Sequence, residues 1–367
     1  MSLNTDDYAI VVGIDNYSSL PRITGAGDDA IKFAEWLQDP DGGSLIPEKI
    51  ALILPSAQPS QTLKTKIDEA LKRFKIMRRE RIGRRLYFYF SGHGFGQYDD
   101  IGMFMPEATI NEANFNVGLR PYKIFLSKWG FWDEVIFILD CCRDPISFAA
   151  TQEPPFTFQD NTIPNLPQQV ENFIVLATDH GRQAFSAWDP VTGKKRGILT
   201  RAILEGLKDQ LATDEKGRIT AGSLNDYVMT RVEQIAKQHG LTQKAQIFRP
   251  SMGDIVFKEG ITKMHDIGVE IPAGVNTLII RNAKLKQIAQ YDLDMNSGLW
   301  QIKYLTVDDE LKKFVVPGGG PLRTGASINV RLIQNGRYAF QLPNQDMTLL
   351  DLREVDPNDV NYVFKFE

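Results

Sequence analysis

Cysteine is nearly missing from this chain of 367 residues: there are two, side by side at positions 141 and 142. Adjacent cysteines cannot staple distant parts of a fold, so no disulfide framework is available. The usage suits a reducing cytosol, where a free thiol persists. Two neighbouring cysteines and four scattered histidines also match no zinc-ligand spacing, and no metal or cofactor is expected. The stretch Asp292-Leu-Asp294-Met-Asn296-Ser-Gly298 faintly suggests a calcium loop. It breaks the loop's rules, because glycine comes one place late and the last ligand position is Lys303 rather than glutamate.

Long apolar runs are absent too, and nothing approaches the ~20 residues of a membrane-spanning helix. The polar, acidic opening Met-Ser-Leu-Asn-Thr-Asp-Asp predicts no secretory signal. An excess of one charge sign is likewise lacking, since the net charge is only −4. That excludes nonspecific nucleic-acid binding as the main activity. The expectation is a soluble cytoplasmic protein with neither nucleic-acid nor membrane partners. With 43% hydrophobic residues, the chain is long enough for two domains with cores of their own.

What the chain does have is concentrated between Arg85 and Arg143. Arg85-Leu-Tyr-Phe-Tyr-Phe90 stops at Ser91-Gly92-His93-Gly94, and Val135-Ile-Phe-Ile-Leu139 stops at Asp140-Cys141-Cys142-Arg143. Short runs of β-branched and aromatic residues without polar alternation read as strands buried on both faces of a parallel sheet. In open α/β sheets chemistry gathers at the carboxyl ends of such strands. One strand therefore delivers a histidine to that edge and another a cysteine. A free thiol is little ionised at neutral pH, and a neighbouring imidazole raises the thiolate fraction and shuttles protons. A buried strand-end cysteine alone is usually inert, and a lone histidine is usually a satisfied polar group. Their joint placement is what points to nucleophilic catalysis. Gly92 and Gly94 flank the histidine, and the expectation is that they let backbone approach a substrate closely.

These two stretches resemble the catalytic signatures of the caspase and metacaspase cysteine proteases. The histidine precedes Cys142 by about 50 positions, the caspase spacing. The resemblance makes Cys142 the nucleophile and puts Cys141 at a small-residue position. Asp144 departs from the glycine expected after Arg143. Gly13-Ile-Asp-Asn-Tyr17 resembles the segment that opens the protease domain, and Gly25-Ala-Gly-Asp-Asp-Ala30 a segment of metacaspases. The resemblance runs over about residues 5–258 and covers the catalytic part of bacterial caspase-like proteins.

It implies an α/β fold, a caspase-like, mostly parallel sheet flanked by helices. The peptidase domain is expected at 1–260, with a large-subunit-like part (5–143), a linker (144–170) and a small-subunit-like part (171–258). It implies His93 and Cys142 as catalytic dyad and the N–H groups of Gly94 and Cys142 as oxyanion donors. Asp29, Ser91 and Asp140 would line the first specificity pocket, although Asp28 and Asp29 also suit a helix N-terminus electrostatically. Two carboxylates in one partly desolvated pocket favour a guanidinium or ammonium, so cleavage is expected after Arg or Lys. Cleavage after Asp would instead require arginines, and Arg22 lies one residue too far from Gly25 to supply one. A caspase-fold scaffold without activity, or a thiol acyltransferase on a similar sheet, are rivals that the intact His93 and Cys142 pair opposes.

Around these signatures, strands are expected at Tyr8–Gly13, Lys49–Leu54 and Phe173–Ala177. Helices are expected at Gln61–Ile76, Pro121–Trp129, Gly197–Leu207 and Leu224–Gln238. The basic run Lys72–Arg85 reads as a solvated helix end, and Phe95–Gly118 as an irregular border of the cleft. No Lys or Arg lies between Arg143 and Arg182, so a protease with this pocket could not cut its own linker there. Lys194-Lys195-Arg196, in an expected exposed loop, is the better self-cleavage candidate.

From Ile261 short alternating segments punctuated by Gly and Pro favour an all-β sandwich or barrel over 261–367. Caspase-like proteins of bacteria carry such additions as sensors in antiviral or cell-death systems. The expectation is that this domain binds a small signalling molecule or a partner protein and gates the site, with a structural buttress as the competing reading.

Overall fold

The structure is a computed structural model of the whole chain. It describes residues 4–366 except 56–61, 99, 110–114, 146–149, 157–168, 190–192, 215, 252, 262–263, 273, 283–286, 295–298, 306–326, 334–336, 344, 346 and 352–362. Two compact units are present, Met1–Ile261 and Thr262–Glu367.

The first unit is built on a six-stranded sheet. In chain order its elements are β1 (Asp7–Gly13), α1 (Ala26–Gln38), β2 (Ile50–Ile53), α2 (Leu63–Arg73), β3 (Gly83–Ser91), β4 (Gly94–Gln97), β5 (Asp100–Phe104) and β6 (Asn116–Gly118). There follow α3 (Leu119–Trp129), β7 (Trp132–Asp140), β8 (Glu171–Leu176), β9 (Ser186–Asp189), β10 (Lys194–Gly197), α4 (Ile198–Leu207), β11 (Ile219–Thr220), α5 (Ala221–Gln238), β12 (Gln246–Phe248) and β13 (Val256–Lys258). The sheet order is β12-β8-β7-β3-β1-β2. All its pairings are parallel except that of β12 with β8.

Side chains alternate between the faces of each central strand, and both faces are apolar. Ala9, Val11, Tyr87, Tyr89, Ile136 and Ile138 pack against α1, α4 and α5 through Phe33, Ile203 and Val228. Ile10, Val12, Leu86, Phe88, Val135 and Phe137 pack against α2 and α3 through Ile67, Leu71 and Leu126. This double burial is why the strands show no polar alternation.

Helix α1 begins where Gly25 takes φ 106°, a left-handed conformation open to glycine. A Cβ there would lie 2.4 Å from the Lys195 carbonyl oxygen. Asp15, just beyond β1, caps the helix: its Oδ1 accepts from Ala26 N–H at 2.9 Å and its Oδ2 from Gly27 N–H at 3.1 Å. A carboxylate at the positive end of the helix both satisfies orphan donors and complements the dipole. That cap fixes the turn of helix carrying Asp29.

Three sequence expectations are corrected here. Phe95–Gly118 holds regular structure among its described residues, the antiparallel sheet β4-β5-β6, with a small core of Phe95, Phe104 and Ala108. Its strands are short and glycine-rich because neighbours press on them; a Cβ on Gly102 would meet the Phe95 ring at 2.1 Å. The basic run Lys72–Arg85 does not end as a solvated helix, because its last residues enter β3. Arg85 is buried, donating to Glu134 Oε2 at 2.6 Å, the Tyr87 hydroxyl at 2.9 Å and the Val256 carbonyl at 2.8 Å. A buried guanidinium is tolerated when its donors are met in this way. Third, Lys194–Gly197 is a strand rather than a loop, paired antiparallel with β9.

Of the linker 144–170, segments 146–149 and 157–168 lie outside the described residues. The part between them is anchored, since Asn116 Nδ2 donates to the Ala150 carbonyl and Gln152 N–H to Asn116 Oδ1.

The second unit contains a three-stranded sheet of Met264–Glu270 (β14), Ser327–Ile333 (β18) and Val363–Lys365 (β21). A five-stranded sheet joins Thr277–Asn282 (β15), Gln287–Asp294 (β16), Leu299–Leu305 (β17), Arg337–Gln341 (β19) and Met347–Asp351 (β20). The rings of Phe340 on β19 and Phe364 on β21 bridge the two sheets at 4.6 Å between centroids. The run Pro317-Gly-Gly-Gly-Pro321 lies outside the described residues, as does 295–298 of the calcium-like stretch. Among the described residues no helix is long and apolar enough to cross a membrane.

Candidate active site

Strands β3 and β7 are parallel neighbours in a register that sets Ser91 opposite Asp140. Both strands end at that pair, and His93 and Cys142, each two residues further on, emerge at the same edge. They line one open cleft together with Ile23, Thr24, Asp29, Ser91, Asp140 and Ala184. Five of the residues singled out from sequence thus meet in one place. Gly94 lies behind them as the first residue of β4 and is not part of the cleft lining. Arg22 does not line the cleft either, and among the described residues no lysine or arginine does.

His93 is held from two sides. Its backbone N–H donates to the Tyr17 hydroxyl at 2.7 Å, and the two rings lie 4.8 Å apart. Its Nε2 lies 2.7 Å from the Pro21 carbonyl oxygen. A carbonyl only accepts, so this contact assigns a proton to Nε2 and leaves Nδ1 as the basic nitrogen of the neutral ring. Burial pushes the Tyr17 hydroxyl well above the ordinary tyrosine range, which keeps it a neutral hydrogen-bonding group.

Cys142 is half-buried and Cys141 buried. The Cys142 Sγ accepts from Ala184 N–H at 3.4 Å and lies 3.6 Å from the Ala184 carbonyl oxygen. The backbone beside it is stitched to the same segment: Arg143 N–H donates to the Arg182 carbonyl and Gly181 N–H to that of Arg143, both at 3.0 Å. Burial raises the Cys142 thiol above its ordinary value; the Ala184 N–H opposes that rise, while Asp144 and Asp140 add to it. The resting sulfur is therefore a thiol rather than a preformed thiolate.

The protein's own packing also requires the two glycines beside His93. A Cβ on Gly92 would lie 2.5 Å from the Tyr17 hydroxyl, and one on Gly94 would lie 2.6 Å from the Cys141 Sγ. Gly92 makes room for the tyrosine that holds His93, and Gly94 for the buried cysteine of the neighbouring strand.

Asp29 and Asp140 are almost wholly buried. Asp29 Oδ2 accepts from Gly197 N–H at 2.7 Å and its Oδ1 from Arg196 Nε at 3.2 Å. Asp140 Oδ2 accepts from Thr200 N–H at 2.9 Å and from Thr200 Oγ1 at 2.7 Å. Burial first, and the charge of Asp140 second, raise Asp29 to about 8 against the pull of Gly197 and Arg196. Burial likewise raises Asp140. Arg196, Gly197 and Thr200 were not singled out for this pocket in the sequence, where Gly197-Ile-Leu-Thr200 reads only as the start of a helix. The one signal was the glycine immediately before that helix.

A cleft of this kind, with a thiol and an imidazole on the carboxyl ends of neighbouring parallel strands, defines an α/β protein of the caspase architecture. The chain belongs to the caspase domain family, which matches residues 6–256. It is 28% identical over 217 residues to a "Probable protease" of a Desulfuromonadales bacterium, the match covering 55% of this chain. It spans about a quarter of that relative's length, 26%. Among solved structures it is similar to caspase-1 from Spodoptera frugiperda, with 13% identity and a TM-score of 0.42 over 71% of this chain and 92% of that one.

Proposed function

We propose that the protein is a cysteine endopeptidase that cuts after Arg or Lys in protein substrates, with Cys142 as nucleophile and His93 as its acid/base partner. The observation that carries this reading is one cleft lined by His93, Cys142 and two buried carboxylates and, among the described residues, by no lysine or arginine. Because Cys142 rests as a thiol, attack on the carbonyl requires loss of its proton, and Nδ1 of His93 is the nitrogen able to take it. The Pro21 carbonyl, bonded to Nε2, fixes the ring and accepts from its N–H throughout the transfer. His93 then returns the proton to the departing amine, and water releases the acyl group from sulfur. The N–H groups of Cys142 and Gly94 are the proposed donors to the oxyanion. Ser91, Asp29 and Asp140 receive the basic side chain. A reducing cytosol suits a free thiol of this kind.

Specificity is tested by comparing peptides that end in Arg, Lys and Asp before a fluorogenic leaving group; preference for Asp removes the pocket assignment. The titration of Asp29 makes a sharper test. In the free protein it is protonated below about 8, whereas a bound cation favours the carboxylate. Binding of an Arg-containing peptide to the Cys142→Ala protein therefore expels a proton at pH 7. The dissociation constant rises roughly tenfold for each pH unit below the Asp29 value and levels off above it. Calorimetry in buffers of different ionisation enthalpy reads both quantities, and an affinity flat from pH 6 to 9 contradicts the pocket.

The unit 262–367, whose described elements are strands, is proposed to gate this activity in a bacterial defence or cell-death response, by binding a small signal or a partner protein. A basal peptidase rate that differs between the full chain and a chain ending at Ile261 supports gating. Equal rates in both, with and without extract of phage-infected cells, end that idea.

A further inference from the structure

Four consecutive steps of chain around the start of α4 hold both pocket carboxylates. Gly197 N–H and Arg196 Nε take Asp29, while Thr200 takes Asp140. Arg196 differs from the others in carrying charge, and in its position. It sits on β10 and reaches Asp29, yet it is not part of the cleft lining, whereas Asp29, Asp140 and Gly197 are. The guanidinium therefore meets Asp29 from behind the wall of the cleft. Its side chain is 13% exposed, and its Nη1 lies 3.4 Å from Asp189 Oδ2 on β9. Its Nη2 is buried with no hydrogen-bond partner. Holding a guanidinium under-satisfied is costly, and packing alone does not require a charge at this position.

We propose that Arg196 is a positioning residue for the specificity pocket: bonded to Asp29 from behind the cleft, it favours the carboxylate form of that side chain and orients it for an incoming cationic side chain. The inference rests on the Arg/Lys reading of the pocket and names what makes such a pocket work at neutral pH. Asp29 faces Asp140 from β7, Arg196 from β10 and the buried Tyr89 from β3; Arg196 in turn meets Asp189 on β9, and the neighbouring Asp28 is paired with Lys194 at 2.8 Å. Of these Arg196 is the cation bonded to Asp29, and every other charged neighbour facing it resists ionisation. Arg196 also repels a bound substrate cation, but that cation lies beyond Asp29, farther away than Asp29 itself. Electrostatic energy falls with distance, so while Asp29 can still protonate, the attraction outweighs the repulsion.

These two opposed effects give a signature that loss of packing does not reproduce. The test compares full-length wild type with Arg196→Ala and Arg196→Lys, each on an inactive Cys142→Ala background for binding and on the active background for kinetics. The Arg196→Ala protein should bind an Arg-containing peptide roughly tenfold more weakly at pH 7, the effect of moving the Asp29 titration up by about one unit. Its deficit should close near pH 10, where Asp29 is ionised in both proteins. KM should carry the change and kcat should not, and Arg196→Lys should recover most of the pH 7 affinity. A deficit of equal size at every pH, or unchanged binding at pH 7, overturns the inference while leaving the Arg/Lys pocket in place. A wild type that prefers Asp-terminated peptides overturns both together. If Arg196→Ala does not fold, Arg196→Lys carries the test: a pH midpoint identical to wild type supports the role of charge, and loss of binding at all pH values refutes it.

Discussion

Cys142→Ala is expected to abolish peptide hydrolysis, a fall of about a thousandfold or more, while Cys141→Ala keeps kcat/KM within about tenfold of wild type. The sequence offers two adjacent sulfurs, and the structure separates them by environment. Cys141 is turned into the core, and the space a Gly94 side chain would need is filled by its Sγ. Burial and neighbouring negative charge hold its thiol far above the ordinary range, so it stays a neutral thiol although the residue borders the cleft beside Cys142. Cys142 lines the cleft with His93, is half-buried, and makes weak contacts with Ala184 through its sulfur. Removing a nucleophile eliminates the covalent route altogether, whereas truncating Cys141 leaves a small cavity beside Gly94 and costs stability. Stoichiometric alkylation with iodoacetamide, mapped by mass spectrometry, gives an independent readout. Activity that survives Cys142→Ala, or is lost equally in Cys141→Ala, removes the proposed nucleophile.

The strands that carry these groups were legible because burial on both sheet faces leaves an unbroken apolar run, visible without any partner. The end of such a run marks the sheet edge, so His93, Cys142, Ser91 and Asp140 followed from it together with the two signatures. Asp29 followed from the family resemblance alone. What stayed hidden depends on long-range pairing. Arg85 looks like one more cation in a basic run until Glu134, Tyr87 and the Val256 carbonyl close around it. Tyr17 sits in a recognisable opening segment, yet its hold on the His93 N–H links residues 76 positions apart. Short glycine-rich strands such as β4 and β5 escaped because glycine there reports crowding by Phe95 and Cys141, not a turn. Arg196 looked like exposed loop because three cations in succession normally seek water. Its burial depends on Asp29, 167 positions earlier.

The same long-range dependence makes Gly197→Ala the most damaging small substitution in the pocket. Gly197 has φ −56° and ψ 131°, a conformation any residue adopts, so backbone strain is not at issue. The obstacle is space: a Cβ would lie 2.1 Å from Asp140 Oδ2 and 3.1 Å from Asp29 Oδ2. Asp140 cannot step aside freely, because that same oxygen is held by Thr200 N–H and Oγ1. Either the Asp140 carboxylate leaves Thr200 or Gly197 N–H leaves Asp29, and each loss involves a hydrogen bond to a charged group worth about 1.5–3 kcal/mol. Losing two such bonds lowers kcat/KM for Arg-terminated peptides roughly a hundredfold or more. The atoms nearest the added methyl belong to Asp140 and Asp29, so alkylation of Cys142 by iodoacetamide should stay within about threefold of wild type. That split separates a broken pocket from a broken nucleophile. Thr200→Val should give a milder version, since it removes the Oγ1 donor and keeps the N–H, costing about tenfold. Wild-type kcat/KM in folded Gly197→Ala protein contradicts the assignment of this floor to substrate binding, and a parallel loss of alkylation places the damage at the sulfur instead.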